Sequence, residues 1–425
     1  MNIAKAQSRF VLLVSGLMAT VGSASFLMAH DGPHRSSAQL TKELDRGARV
    51  IEFLEARAVA RPDDSIVLSK LASARLQQAR RTGAPEDFAR AERTFRALLQ
   101  QSPESGGGHA GLAYALLGGH RFAEALATAR EAAGWLPDSP EILALIGDCH
   151  FALGHYVEAE MAFARLLDSG LTLHSLARMA QIHEVRGRYD EAVQCMSDAL
   201  QAGTLLDESS ADLAWCRTLL GDMALDHDDL DTAEAHYRAS LRLHDGGHVA
   251  RWRLAEIASR RGQHDQASAA LRELVRQHPI PKYLIALGEA LVGTGRAEEA
   301  DGWFRKAEQQ MLLNLQQGEV GHVRELVEFW LAHDRHTQRA LELAQRDLEE
   351  VRQDAGAHET MAWALHKVGR HEEAVRYMRF ALRPGKTTPQ LRARAEKILQ
   401  ATDHPVMPHR AVGRKSMQTA RVLKK

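Results

Sequence analysis

The stretch RGRYDEAVQCMSDALQAG at residues 186–203 returns, in altered form, as VGRHEEAVRYMRFALRPG at residues 368–385. Both open on a glycine turn, continue into an acidic helix start, and place alanine at one fixed position, Ala192 and Ala374. The same pattern lies in LGHYVEAEMAFARLLDSG, RGQHDQASAALRELVRQHP and TGRAEEADGWFRKAEQQ. Aligning all copies gives the alanines Ala91, Ala125, Ala159, Ala192, Ala233, Ala267, Ala300, Ala340 and Ala374, at intervals of 34, 34, 33, 41, 34, 33, 40 and 34. A repeat of this length is one supersecondary unit that cannot bury its apolar face alone, so neighbours must stack into a continuous core.

Seven of the nine copies also carry a small residue earlier in the unit: Ala113, Gly147, Ala180, Gly221, Ala255, Gly288 and Ala362, while Glu328 replaces it in another. Leu112, Ile146, Met179, Leu220, Leu254, Leu287 and Met361 precede them. Gly154, Gly187, Gly262, Gly295 and Gly369 fall between the two helical segments, where a left-handed residue reverses the chain. Large side chains recur four after the fixed alanine, among them Phe95, Phe163, Met196, Tyr237, Leu271, Phe304 and Met378. Period, small residues and turn glycines together resemble the tetratricopeptide repeat, over roughly residues 64–384. The resemblance implies an all-α, right-handed α-solenoid of helix–turn–helix units, with a concave groove lined by each unit's first helix.

The expected organisation has five parts. Residues 1–29 read as a signal peptide: Lys5 and Arg9, then the apolar FVLLVSGLMATVG, then small residues offering cleavage after Ser25 or Ala29. The alternative is an uncleaved membrane anchor at residues 10–29, and no later segment is apolar enough to span. Residues 30–63 form a lead-in and a degenerate capping unit, 64–386 the solenoid, 387–402 a capping helix, and 403–425 a basic tail. The export reading places the protein in a periplasm or outside the cell.

Composition narrows the function. The chain has 425 residues, 45% apolar but only 5% aromatic, with 54 Lys+Arg against 55 Asp+Glu. A net charge of -1 gives no overall basic footprint for nucleic acid. Cys149, Cys195 and Cys216 are too few for a disulfide framework; Cys195–Cys216 pairing and three small buried residues are the two readings. No GxSxG, HExxH, phosphate-binding loop or dinucleotide fingerprint is present, so no enzymatic activity and no cofactor are expected. His150/His155 and His333/His336 are pairs without the convergent third and fourth ligands of a zinc site. HDGPH differs, since cleavage after Ala29 would leave His30 with an α-amine and imidazole beside His34, a copper or zinc chelate.

The main candidate is the groove. One residue after each small position stand Tyr114, Asp148, Gln181, Asp222, Glu256, Glu289 and Trp363, with Trp252 nearby. The resemblance places this row on the concave face, where four acids between aromatic ends would hold a protein or peptide partner with basic groups. The expected function is thus an exported, non-enzymatic binding scaffold. A metal-handling protein using His30 and His34, and an accessory subunit of an envelope enzyme, are the alternatives. Membrane contact is expected only through an uncleaved N-terminus or the basic tail.

Overall fold

The computed structural model describes residues 37–82, 85–317, 321 and 323–401, which fold as helices joined by short turns. The candidate signal peptide, His30, His34 and the basic tail at 403–425 lie outside the described residues. A leading helix α1 (Ser37–Ala60) precedes nine antiparallel pairs. The first three are α2 (Ser65–Thr82) with α3 (Pro85–Gln101), α4 (Gly106–Gly118) with α5 (Phe122–Trp135), and α6 (Pro140–Ala152) with α7 (Tyr156–Ser169). Then come α8 (Leu173–Val185) with α9 (Tyr189–Leu205), α10 (Ser210–Leu225) with α11 (Leu230–Leu243), and α12 (His248–Arg260) with α13 (His264–Gln277). The last are α14 (Pro281–Gly293) with α15 (Ala297–Gln316), α16 (Val323–Ala332) with α17 (Thr337–Arg346), and α18 (Ala355–Lys367) with α19 (His371–Leu382); α20 (Pro389–Gln400) closes the array.

The fixed alanines explain the pairing. All nine have a relative exposure of 0%, because each lies where the second helix of a unit presses on its neighbours. The small position of the first helix is matched to the side chain opposite it. Where it is Gly147, Gly221 or Gly288, the ring of Phe163, Tyr237 or Phe304 lies where a Cβ would be. Where it is Ala113, Ala180, Ala255 or Ala362, the corresponding residue is Ala129, Met196, Leu271 or Met378. First helices start on side-chain caps: Ser105, Ser139, Thr172, Ser209, Asp354 and Thr388 each accept a backbone N–H. The turn glycines Gly154, Gly187, Gly262, Gly295 and Gly369 have φ from +70° to +82°, and His120, Asp228 and Asp334 take the left-handed role in three other units.

The irregular intervals are absorbed by longer helices. In the 41-residue interval α9 runs to Leu205 and the chain reverses at Asp207, φ +54°. In the 40-residue interval α15 extends over 20 residues. The N-terminal segment, expected as a degenerate two-helix unit, is instead the single 24-residue helix α1. Gly47 does not break the helix, and Ile51 and Leu54 are buried against Leu71 of α2.

The array also comes back on itself. The Tyr156 hydroxyl accepts the Ala355 N–H at 3.0 Å, 199 residues away. Lys386 N–H donates to the Val185 carbonyl at 3.0 Å, while its ammonium binds Glu184 and, at 2.7 Å, Asp226. Gly187 and Gly385 meet backbone to backbone, and a Cβ on Gly154 would lie 2.5 Å from the Gln353 carbonyl. Gly321 sits against His120, and Val351 joins the core that contains Phe122 and Leu126. Turns of the second, third and fourth units therefore lie against the linkers following the seventh, eighth and ninth. Around this seam a buried quartet holds Arg324 on Asp354 at 2.8 Å and Arg352 near Asp347 at 3.5 Å.

Candidate functional site

The small positions fix which residues the first helix of each unit turns away from its partner, the row that the tetratricopeptide resemblance puts on the concave face. A residue one step after a small, fully packed position points away from the unit's own second helix. Applying the same spacing backwards from Ala91 gives Ala79, also at 0% exposure, so the row begins one unit earlier, at Arg80 on α2. Arg80 is hard to find by the repeat because the glycine between the first unit's helices, Gly83, stands eight residues before the fixed alanine Ala91 and not five, as Gly187 does before Ala192. The interval from Ala79 to Ala91, equal to that from Ala113 to Ala125, was the available signal.

The row is present but is not a free acidic stripe. Asp148 on α6 is held by Arg178 of α8 through two bonds of 2.9 Å, with both side chains under 10% exposed. Asp222 on α10 accepts from the Tyr237 hydroxyl at 2.6 Å and pairs with Arg253 of α12 at 2.8 Å. Glu256 takes Arg253 at 2.9 Å and Arg260 at 2.7 Å. The expectation of four acids available to a basic partner is thus corrected for these three, each neutralised within the chain. The pairing has a sequence register, since Arg178 and Arg253 both stand two before the next unit's small residue. Glu289 is the exposed member of the row, with no ion pair among the described residues.

Burial governs the electrostatics of this face. It pushes the Asp148 carboxyl up to about 6 against the pull of Arg178. Burial also raises the Asp222 carboxyl, and raises Glu289 with a further push from Glu256. At Glu256 burial pushes upward, but Arg253 and Arg260 outweigh it and hold the acid low.

One prediction follows from the Asp148–Arg178 pair. Arg178→Met leaves a buried carboxylate without its cation and should cost about 3–5 kcal/mol at neutral pH. Because the folded-state pKa of Asp148 lies above its ordinary value, the native state binds the extra proton between about pH 4 and 6. Without Arg178 the carboxyl is pushed higher still, so the variant takes up its proton above about pH 6; the cost should shrink as pH falls toward that value and stay level below it. Denaturation of both proteins at about pH 7.5 and 5 measures it, and a pH-independent difference contradicts it.

The aromatic members line the same face. Tyr114 is 9% exposed; its hydroxyl donates to the Glu141 carbonyl at 3.3 Å and the Arg80 guanidinium lies 4.7 Å from its ring centre. Trp252 carries Arg253 at 4.1 Å and Lys282 at 4.2 Å, with Tyr283 at 6.0 Å. Trp363 is half-buried under Arg394 at 3.8 Å, which is tied to Glu359 at 2.7 Å. Gln181 is 8% exposed and its amide nitrogen has no hydrogen-bond acceptor.

Other candidates separate. His150 and His155 approach with Nδ1 atoms 3.4 Å apart beside Arg130, and His333 packs on Phe304 and Phe329. Among the described residues no group of three His, Cys, Asp or Glu is arranged to hold a metal ion. The three cysteines are free thiols, Cys149 and Cys216 fully buried, and burial raises the Cys195 thiol to about 11. No helix among the described residues is long and apolar enough to cross a membrane.

Comparison with known proteins agrees with this architecture. Models described as tetratricopeptide repeat match residues 76–140, 116–171, 171–246, 218–279 and 253–310, together more than half of the chain. Among solved structures, a human IFIT1 dimer with PPP-AAAA is 17% identical, covering 81% of this chain and 78% of that one, with a TM-score of 0.45. Yeast Tom70 is 13% identical over 89% of each chain, with a TM-score of 0.40. The MamA protein is 19% identical, covering 42% of this chain and 96% of its own, with a TM-score of 0.33. Curated proteins give no match.

Proposed function

This chain belongs to the tetratricopeptide repeat family, and from that premise we propose that it is an exported, non-enzymatic scaffold holding an extended segment of a protein partner along its concave face. One observation carries the reading: on inner helices where Asp148, Asp222 and Glu256 are paired with arginines of the chain, Trp252 and Trp363 remain half-buried and Glu289 exposed. Aromatic side chains with an accessible face supply binding area at low entropic cost, while the surrounding paired charges hold the surface in shape. Tyr114, Asp148, Gln181, Asp222 and Glu256 frame the groove; Trp252, Glu289 and Trp363 make the contacts. Export rests on Lys5, Arg9 and the apolar run after them.

Affinity capture with wild-type protein and a Trp363→Ala, Glu289→Gln double variant tests the reading. The variant should keep the wild-type helix content, with a lower melting temperature from the lost Trp363 packing, and lose its partner by about tenfold or more in affinity. Full retention of every partner by the folded variant contradicts capture through the groove. N-terminal sequencing of protein from the envelope or medium tests export; an intact Met1 contradicts cleavage.

A further inference from the structure

Inner-helix cations in this solenoid typically have an acid: Arg178 has Asp148, Arg253 has Asp222 and Glu256, Arg324 has Asp354, and Arg394 has Glu359. Arg80 and Lys282 differ. The Arg80 guanidinium sits 4.7 Å from the centre of the Tyr114 ring, its buried Nε has no hydrogen-bond partner, and no carboxylate among the described residues pairs with it. The Lys282 ammonium sits 4.2 Å from the centre of the Trp252 ring, again with no carboxylate in ion-pair contact among the described residues. Both belong to first helices, α2 and α14, and both are largely withdrawn from solvent.

Such an arrangement costs free energy in the empty protein. An arginine does not shed its proton, and an aromatic face compensates a desolvated cation only in part. We propose that Arg80 and Lys282 are two anion seats that receive carboxylates from an acidic segment of the partner held in the groove. This rests on the groove reading above and reverses the charge that the row of acids first suggested. Burial pulls the Lys282 ammonium down to about 8, which a carboxylate against it would reverse.

Carboxylate fits better than phosphate. Asp148 and Glu141 lie in the electrostatic field of Tyr114, and Glu325, Asp222 and Glu256 in that of Lys282. These acids oppose a dianion more than a monoanion. The seats are also single cations on separate rings, whereas a polyanion is held by clustered bases.

The test uses the full chain at pH 7 with three probes: a fluorescein-labelled ten-residue glutamate peptide, the matching glutamine peptide, and inorganic phosphate as competitor. The glutamate peptide should bind about tenfold or more tightly than the glutamine peptide, and Arg80→Met and Lys282→Met should each weaken it about tenfold. Both variants should melt at or above the wild-type temperature, since each removes a buried, unpaired cation. Equal binding of the two peptides, glutamate affinity unchanged in both variants, or displacement by phosphate at concentrations where free glutamate does nothing overturns the carboxylate seats. A partner lost from the Trp363→Ala, Glu289→Gln variant but kept by Arg80→Met and Lys282→Met overturns the seats and leaves the groove reading intact. Seat-dependent peptide binding together with partners indifferent to Trp363 and Glu289 supports the seats and overturns that reading.

Discussion

Gly147→Ala is expected to destabilise the third unit by about 1–3 kcal/mol, and Phe163→Met in the same chain to recover most of the loss. The Cβ added at Gly147 would lie 2.2 Å from the nearest carbon of the Phe163 ring. That ring is 1% exposed and packed with Phe151, Tyr156 and Ile182, so it has nowhere to move. Two other units of this chain show the working alternative, Ala180 with Met196 and Ala362 with Met378. The double variant rewrites the third unit into that form, and methionine's unbranched chain adapts to the narrower space. Phe163→Met alone leaves a void and should also destabilise, so the two changes couple favourably. A long array need not unfold in one step, so hydrogen exchange across α6 and α7 is the measure to set beside denaturation. If the double variant is no more stable than Gly147→Ala, size matching is not what links these positions.

This matching explains why so much of the fold was legible. A helix pair can approach closely only where both sides agree in size, so each unit repeats the same small residue at the same place. Nine fully buried alanines in phase are the result. The groove was legible only in position. Asp148 and Asp222 were read as available charges because their arginines belong to the next unit, 30 and 31 residues on. An acid one step after the small residue and an arginine two steps before the next one read as separate features until the units are stacked. The leading helix α1 differs for another reason: its buried residues Ile51 and Leu54 pack on Leu71 of α2 without following the repeat.

The seam had no local signature at all, because it joins residues such as Glu184 and Lys386, 202 positions apart, through turns and linkers. Two of its glycines nevertheless stand out once their surroundings are compared. Gly187 and Gly262 occupy the same turn in different units, with φ of +70° and +76°. Asparagine tolerates that conformation, so Gly→Asn preserves the turn at either site. A side chain at Gly262 meets nothing within 4 Å, whereas at Gly187 it meets the backbone of Gly385. Gly262→Asn should therefore leave the shape unchanged. Gly187→Asn should force the two superhelical turns apart, breaking the Lys386 N–H bond to Val185 and withdrawing the ammonium from Glu184 and Asp226. Those carboxylates would then face each other half-buried without their cation, which opposes reclosure. Small-angle scattering should report a larger radius of gyration for Gly187→Asn than for wild type or Gly262→Asn. Limited proteolysis should cut first near Arg383 and Lys386. A core made of neighbour contacts keeps its helices when the seam opens, so far-ultraviolet circular dichroism should be nearly unaltered. Superimposable scattering curves for all three proteins would mean that the returning turn is not what closes the solenoid.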